Sequence, residues 1–184
     1  MAILKIARMG HPVLRKVARP VPDPTAPEVL TVVRDMLETL EDIAGAGLAA
    51  PQVHVSQRIV IFHVPPGRGD EDIVPLTVLV NPVIEPQTEE MAMGWEGCLS
   101  VPGLRGLVPR FTKIRYRGFG IDGKPIDRTV SGFHARVVQH ECDHLDGVLY
   151  PQRMTDLRDL VFESEMRHLM SAMTMDDDPE MLEA

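Results

Sequence analysis

The tightest constraint on this chain is five residues long: His140-Glu141-Cys142-Asp143-His144. Two histidines four positions apart share a face on a helix, where i and i+4 stand one above the other. That spacing lets both imidazoles reach one metal ion, and Glu141, next to the first, is placed to take a proton from a water at that ion. The chain must therefore fold around this helix, expected from a Ser131 cap to about Leu145, and bring further ligands to it. Its His and Glu content yields H-E-x-x-H by chance about 1–2% of the time, so the pattern asks for corroboration.

Two histidines are too few, because a catalytic site usually takes three protein ligands and keeps one position for water. Three sources of a third ligand are distinguishable. The long pattern H-E-x-x-H-x-x-G-x-x-H has Gly147 in place but Tyr150 where its last histidine should stand, so it fails. A glutamate on a following helix, as in thermolysin-like peptidases, is available in Glu163 or Glu165. Cys98, between Gly94 and Pro102, offers a thiolate from a loop or strand end, although a lone cysteine is more often a small buried hydrophobe. Cys142 lies about 200° around the helix from His140, two steps of 100°, and is read as packing.

Around the helix the chain alternates short apolar runs with turn signals. Thr25-x-x-Glu28 has capping-box spacing, Val29, Val33, Met36, Leu40 and Ile43 make one helical stripe, and Gly45 is the expected stop. Residues 58–64 and 76–80 read as strands with a Pro/Gly/Asp-rich loop over 65–72 between them. Lys113–Arg117 and Ile126–Val130 are expected to pair across Asp122-Gly123. A last helix is expected over about 155–173, followed by an acidic, flexible segment over 174–184. No repeat or linker divides the chain. The expectation is one α+β catalytic domain over residues 1–173, with short, mainly antiparallel strands packed around the central helix bearing H-E-x-x-H.

Charge narrows the partners. The net charge is −8, and residues 155–184 hold nine acids against Arg158 and Arg167, which leaves about −1 for the rest. Neither part supplies the basic field that nucleic acid needs. Lys5 and Arg8 interrupt the first apolar run and no stretch approaches about 20 apolar residues, so neither a secretory leader nor a membrane span is expected. The two cysteines lack the dense spacing of a disulfide framework, in keeping with a reducing cytoplasm.

Three segments corroborate the metal reading together. Gly45-Ala-Gly-Leu-Ala-Ala-Pro-Gln52, Glu96-Gly-Cys-Leu-Ser100 and Gln139-His-Glu-Cys-Asp-His-Leu-Asp-Gly147 resemble the three motifs of the peptide deformylase family, G-x-G-L-A-A-x-Q, E-G-C-L-S and Q-H-E-x-D-H-L. They stand in the family's order, and the resemblance runs from about Gly10 to Tyr150. It implies a hydrolase that removes the formyl group from formyl-methionyl nascent peptides. It implies Cys98, His140 and His144 as ligands of one divalent ion, with Fe2+ as the physiological metal and Zn2+, Ni2+ or Co2+ able to replace it. Glu141 would be the general base and acid, and Gln52 with the backbone N–H of Leu99 would hold the oxyanion. Gly47, Gly97, Arg105, Phe133 and Val137 would line the substrate site, and Glu96 and Gln139 would orient ligands or loop. With no Arg/Ser-rich extension before the family core, a bacterial cytoplasmic enzyme is expected. Its acidic C-terminal segment argues against docking near ribosomal RNA through a basic tail.

Overall fold

Pro27 opens helix α1 (Pro27–Asp42), at a position where its missing N–H costs nothing. In the computed structural model, which describes residues 2–64 and 74–176, the expected capping box does not form. Thr25 turns back instead, donating from its backbone N–H (2.9 Å) and hydroxyl (2.7 Å) to Asp23 Oδ1, and Ala26 is the N-cap. The carboxylate two residues upstream reaches Thr25 locally, an Asx turn that competes with capping. The buried stripe Val29, Val33, Met36 and Leu40 is as expected, but Ile43, expected to extend it, is the half-buried C-cap beyond the helix end at Asp42. Gly45 does not reverse the chain. Ala44 adopts the left-handed conformation (φ +49°), and Gly45 is needed for packing, because a Cβ there would meet Leu40 Cδ1 at 2.9 Å.

The chain then forms β1 (Gly47–Ala49), a 3-10 turn over Ala50–Val53, β2 (Ile59–Val64) and β3 (Val74–Pro86). After these come β4 (Met91–Cys98), β5 (Val101–Phe111), β6 (Lys113–Phe119), β7 (Pro125–Ser131) and helix α2 (Gly132–Leu145). A five-stranded sheet has the order β1-β2-β3-β6-β7, and every strand pair in it is antiparallel. β6 and β7 pair across the turn at Asp122-Gly123, as their sequence suggests. Both faces of β2 are buried. Ile59 and Ile61 pack with the α1 stripe, whereas Val60, Phe62 and Val64 pack with Ala135, Val138 and Leu145 of α2. That is why β2 reads as a continuous apolar run.

β3 is longer than the 76–80 expected, and the reason is local. Asn81-Pro82 looks like a strand end, but Asn81 takes a positive φ (+51°) and the register with β6 shifts between Val80 and Val83. The bulge is secured by two 2.8 Å bonds, Val21 N–H to Asn81 Oδ1 and Asn81 Nδ2 to Val21 O. The loop expected over 65–72 lies outside the described residues.

A second, three-stranded sheet completes the fold, with β4 and β5 as an antiparallel hairpin and β8 (Leu160–Phe162) on the other edge of β5. The helix expected over 155–173 does not form over its first half. Residues 157–165 form a 3-10 turn, β8 and another 3-10 turn, and helix α3 runs only from Met166 to Asp176. Leu160-Val-Phe162 has strand composition and finds an open edge on β5, so inter-strand bonding outweighs the weak helical spacing; Leu157 stays 69% exposed and joins no stripe. α2 is central, with its buried face on β1, β2 and β7 and its other side meeting β5. No helix among the described residues is long and apolar enough to cross a membrane.

Candidate metal centre and active site

Cys98 ends β4 where the hairpin is irregular: the register with β5 shifts between Gly97 and Cys98. That irregularity directs the thiol toward α2, where His140 and His144 occupy consecutive turns. Cys98 Sγ and one nitrogen from each imidazole all lie within 4.8 Å of one another, and Sγ is 3.4 Å from His144 Nε2. The other candidate ligands are paired elsewhere: Glu163 accepts from Arg105 and Glu165 from the Ser164 hydroxyl. Tyr150, which stands where the long pattern would need a histidine, stacks on the His140 ring at 6.3 Å. Cys142 packs into the hydrophobic core on the far side of α2, and burial pushes its thiol pKa up.

His140 is aimed by a buried ionic network. Its Nδ1 bonds Glu96 Oε2 at 2.8 Å, which turns the other ring nitrogen toward Cys98. Glu96 also takes two bonds from Arg110 (2.9 and 3.0 Å) and one from Arg136 (2.9 Å). Arg110 continues to Asp143 (2.6 Å), which is gripped from outside by Arg153 (2.7 Å). The Glu96 carboxyl is held down at about 2: burial opposes its charge, but bonds from His140 and Arg110 outweigh burial. Sequence reasoning singled out Glu96 but missed Arg110, Arg136, Asp143 and Arg153. An arginine reaching across a sheet to a helix has no local signature. Gln139 ties α2 to the end of β5, accepting from Phe111 N–H (3.1 Å) and donating to Phe111 O (3.0 Å).

The segment Gly45–Gln52 supplies a donor. Gln52 sits in the 3-10 turn after β1 and is 2% exposed. Its Oε1 accepts from Ala49 N–H at 2.8 Å, which fixes the amide so that Nε2 points to Cys98 Sγ (3.4 Å) and Ser100 Oγ (3.2 Å). Leu99 lies between those two residues on the cleft wall. Glu141 faces the same cleft, and its buried Oε2 has no hydrogen-bond partner among the described residues. Gly47 is opposite, where a Cβ would stand 2.3 Å from Glu141 Oε1. Gly97 likewise leaves room for Arg105, whose Nη1 would be 2.6 Å from a Cβ there. Phe133, Val137, Arg136 and Trp95 line one side of the cleft, whose volume is about 470 Å³.

Electrostatics separate the titratable groups. Burial raises the Glu141 carboxyl to about 7, where a carboxyl exchanges protons near neutrality. On His140, burial opposes charge, but Cys98 and Glu96 outweigh it and hold the pKa well above the usual imidazole value. Burial and the adjacent His140 hold His144 well below it.

These residues fit a divalent ion. One thiol and two imidazoles make a donor set that suits Zn2+ and its neighbours in the first transition row. Glu141 Oε2 is a buried acceptor in the same cleft with no hydrogen-bond partner among the described residues. Three protein ligands match a catalytic rather than a closed structural site.

Known proteins resemble this chain over most of its length. The family model described as polypeptide deformylase matches residues 3–159. Peptide deformylase 1 of Nitrosomonas europaea is 55% identical over 158 residues, covering 85% of this chain and 90% of the relative. Peptide deformylase 2 of Ralstonia nicotianae is 53% identical over 156 residues, covering 84% and 88%. Among solved structures, the class I type b peptide deformylase of Acinetobacter baumannii bound to Met-Ala-Ser superposes with a TM-score of 0.78 at 36% identity, covering 83% of this chain and 99% of that one. The peptide deformylase of Thermotoga maritima gives 0.77 at 34% identity, covering 85% and 100%.

Proposed function

The chain belongs to the peptide deformylase family, and from that premise we propose how its own residues carry the reaction. It is a hydrolase that acts on formyl-methionyl peptides, releasing formate and a free N-terminus. The observation that carries the residue assignment is the convergence of Cys98, His140 and His144 within 4.8 Å beside the unpartnered oxygen of Glu141. We assign those three side chains as the ligands. When bound, a divalent ion supplies Lewis-acid chemistry, polarising an oxygen and acidifying a water.

Every other step falls to the chain. Glu141 takes a proton from the attacking water at its free oxygen and returns it to the departing amine. The Gln52 amide, clamped by Ala49, donates to the oxygen that becomes negative as the formyl carbon turns tetrahedral, together with the Leu99 N–H. Glu96 and its arginines hold the His140 ring still. Phe133 and Val137 offer the apolar wall for the methionine side chain, with Gly47, Gly97 and Arg105 along the peptide path.

The ion we assign is Fe2+, with Zn2+, Ni2+ and Co2+ accepted by the same donors. A thiolate beside an oxygen-accessible ferrous ion oxidises readily, so aerobic preparations are expected to lose activity; stable activity in air with iron bound contradicts this. The catalytic unit we assign is residues 1–173, working on nascent chains in the bacterial cytoplasm. Ribosome proximity through the C-terminal segment is disfavoured, because its charge of −7 is repelled by RNA phosphates.

The decisive assay is formate release from formyl-Met-Ala-Ser by anaerobically purified, Fe2+-loaded protein, with Glu141→Ala alongside. Release that vanishes in the variant while its metal content holds supports the assignment. No release by correctly metallated wild-type protein overturns it.

A further inference from the structure

Glu163 is one of two glutamates, with Glu165, that sequence spacing offered as a metal ligand, and the structure gives it another place. β8 pairs with β5 so that Val161 is opposite Arg105. Glu163, two residues on, is a diagonal neighbour within reach of a long side chain on the same face. Its Oε1 accepts from Arg105 Nη2 at 2.6 Å and from Nε at 3.2 Å, and both residues line the cleft that holds Cys98, His140 and Glu141. Gly97, opposite Arg105 in the β4–β5 ladder, lets the guanidinium lie across β4 toward the site.

This is an exchangeable ion pair: the two side chains are 36% and 57% exposed, so water and ions screen it and another carboxylate can replace Glu163 without opening the fold. Glu163 has an advantage over any such competitor. β8 tethers it, so its carboxylate meets Arg105 at a high effective concentration, whereas a substrate carboxylate must displace it or lie beside it as a like charge. We propose that Glu163 sets the charge preference of the cleft, occupying Arg105 and so disfavouring formyl-methionyl peptides with an acidic side chain shortly after the methionine. This rests on the deformylase reading and adds to it a residue from the turn that follows the C-terminal strand.

The test compares kcat/KM for formyl-Met-Ala-Ser amide with formyl-Met-Asp-Ser amide and formyl-Met-Ala-Asp amide; the amides remove the terminal carboxylate. Fe2+-loaded wild type, Glu163→Gln, Glu163→Lys and the double variant Arg105→Gln/Glu163→Gln are assayed anaerobically. The acidic-to-neutral ratio should rise about two- to fivefold in Glu163→Gln at one or both positions, the range an exposed ion pair supports, and further in Glu163→Lys. The rise should shrink at high ionic strength and be absent without Arg105. An unchanged ratio in both single variants, or a rise that survives loss of Arg105, overturns the inference while turnover of the neutral peptide leaves the deformylase reading standing. A wild type that turns over none of the three peptides overturns both.

Discussion

In Gly47→Ala the new Cβ would stand 2.3 Å from Glu141 Oε1, 2.6 Å from Cδ and 2.9 Å from Cγ. Ordinary contact begins at 3.4 Å, so the carboxylate must retreat by about 1.1 Å (3.4 less 2.3). Gly47 does not lie in the left-handed region, so alanine meets no backbone penalty there. The clash falls on the Glu141 side chain from Cγ outward, and that side chain faces the cleft and has room to shift into it, while alanine stiffens the unfolded chain by about 0.4–1 kcal/mol in favour of folding. Stability should therefore change little, with Tm within a few degrees of wild type. Catalysis should not escape, because a misplacement of about 1 Å costs on the order of 10²-fold, or about 2.7 kcal/mol of barrier. The measurements are kcat/KM for formyl-Met-Ala-Ser, metal content and Tm on the same anaerobic preparation. Activity within threefold of wild type would refute the claim that Glu141 must occupy this position. Loss of metal or a collapse in Tm would assign Gly47 to the fold instead.

Other perturbations separate the remaining roles. Arg110→Met removes the cation that bridges Glu96 and Asp143, leaving the first to Arg136 and His140 and the second to Arg153, and should cost about 1–3 kcal/mol, read as a lower urea midpoint; a midpoint near wild type would show that the bridge is dispensable. Gln52→Ala should lower kcat about 10²–10³-fold with the metal retained, and a change confined to KM would remove Gln52 from the oxyanion site. Cys142→Ala should keep full metal content with a Tm a few degrees lower, because Cys142 packs in the core; loss of the ion would make it a ligand after all.

Local pattern carried the site a long way. His140 and His144 are brought together by helix geometry alone, and Glu141 follows from its place beside the first histidine. The α1 stripe and the strand at β2 were legible because burial marks residues near in sequence, as a helical period in the first and an unbroken apolar run in the second. Cys98 was legible as a candidate, but spacing could not choose between it and Glu163. Resemblance to a family made that choice, and the convergence within 4.8 Å gives it a geometry.

Tertiary structure decided whatever depended on partners distant in sequence. Strand or helix at Leu160–Phe162 turned on whether β5 had an open edge, which the local residues do not encode. The continuation of β3 past Asn81-Pro82 turned on a bulge secured by Val21, 60 residues away. Arg110 joined Glu96 to Asp143 because the sheet and α2 lie side by side. The sequence by itself determined the donor atoms, since their identity is written residue by residue. Only the fold decided their aim and their charge partners, because long side chains can meet many neighbours and packing selects among them.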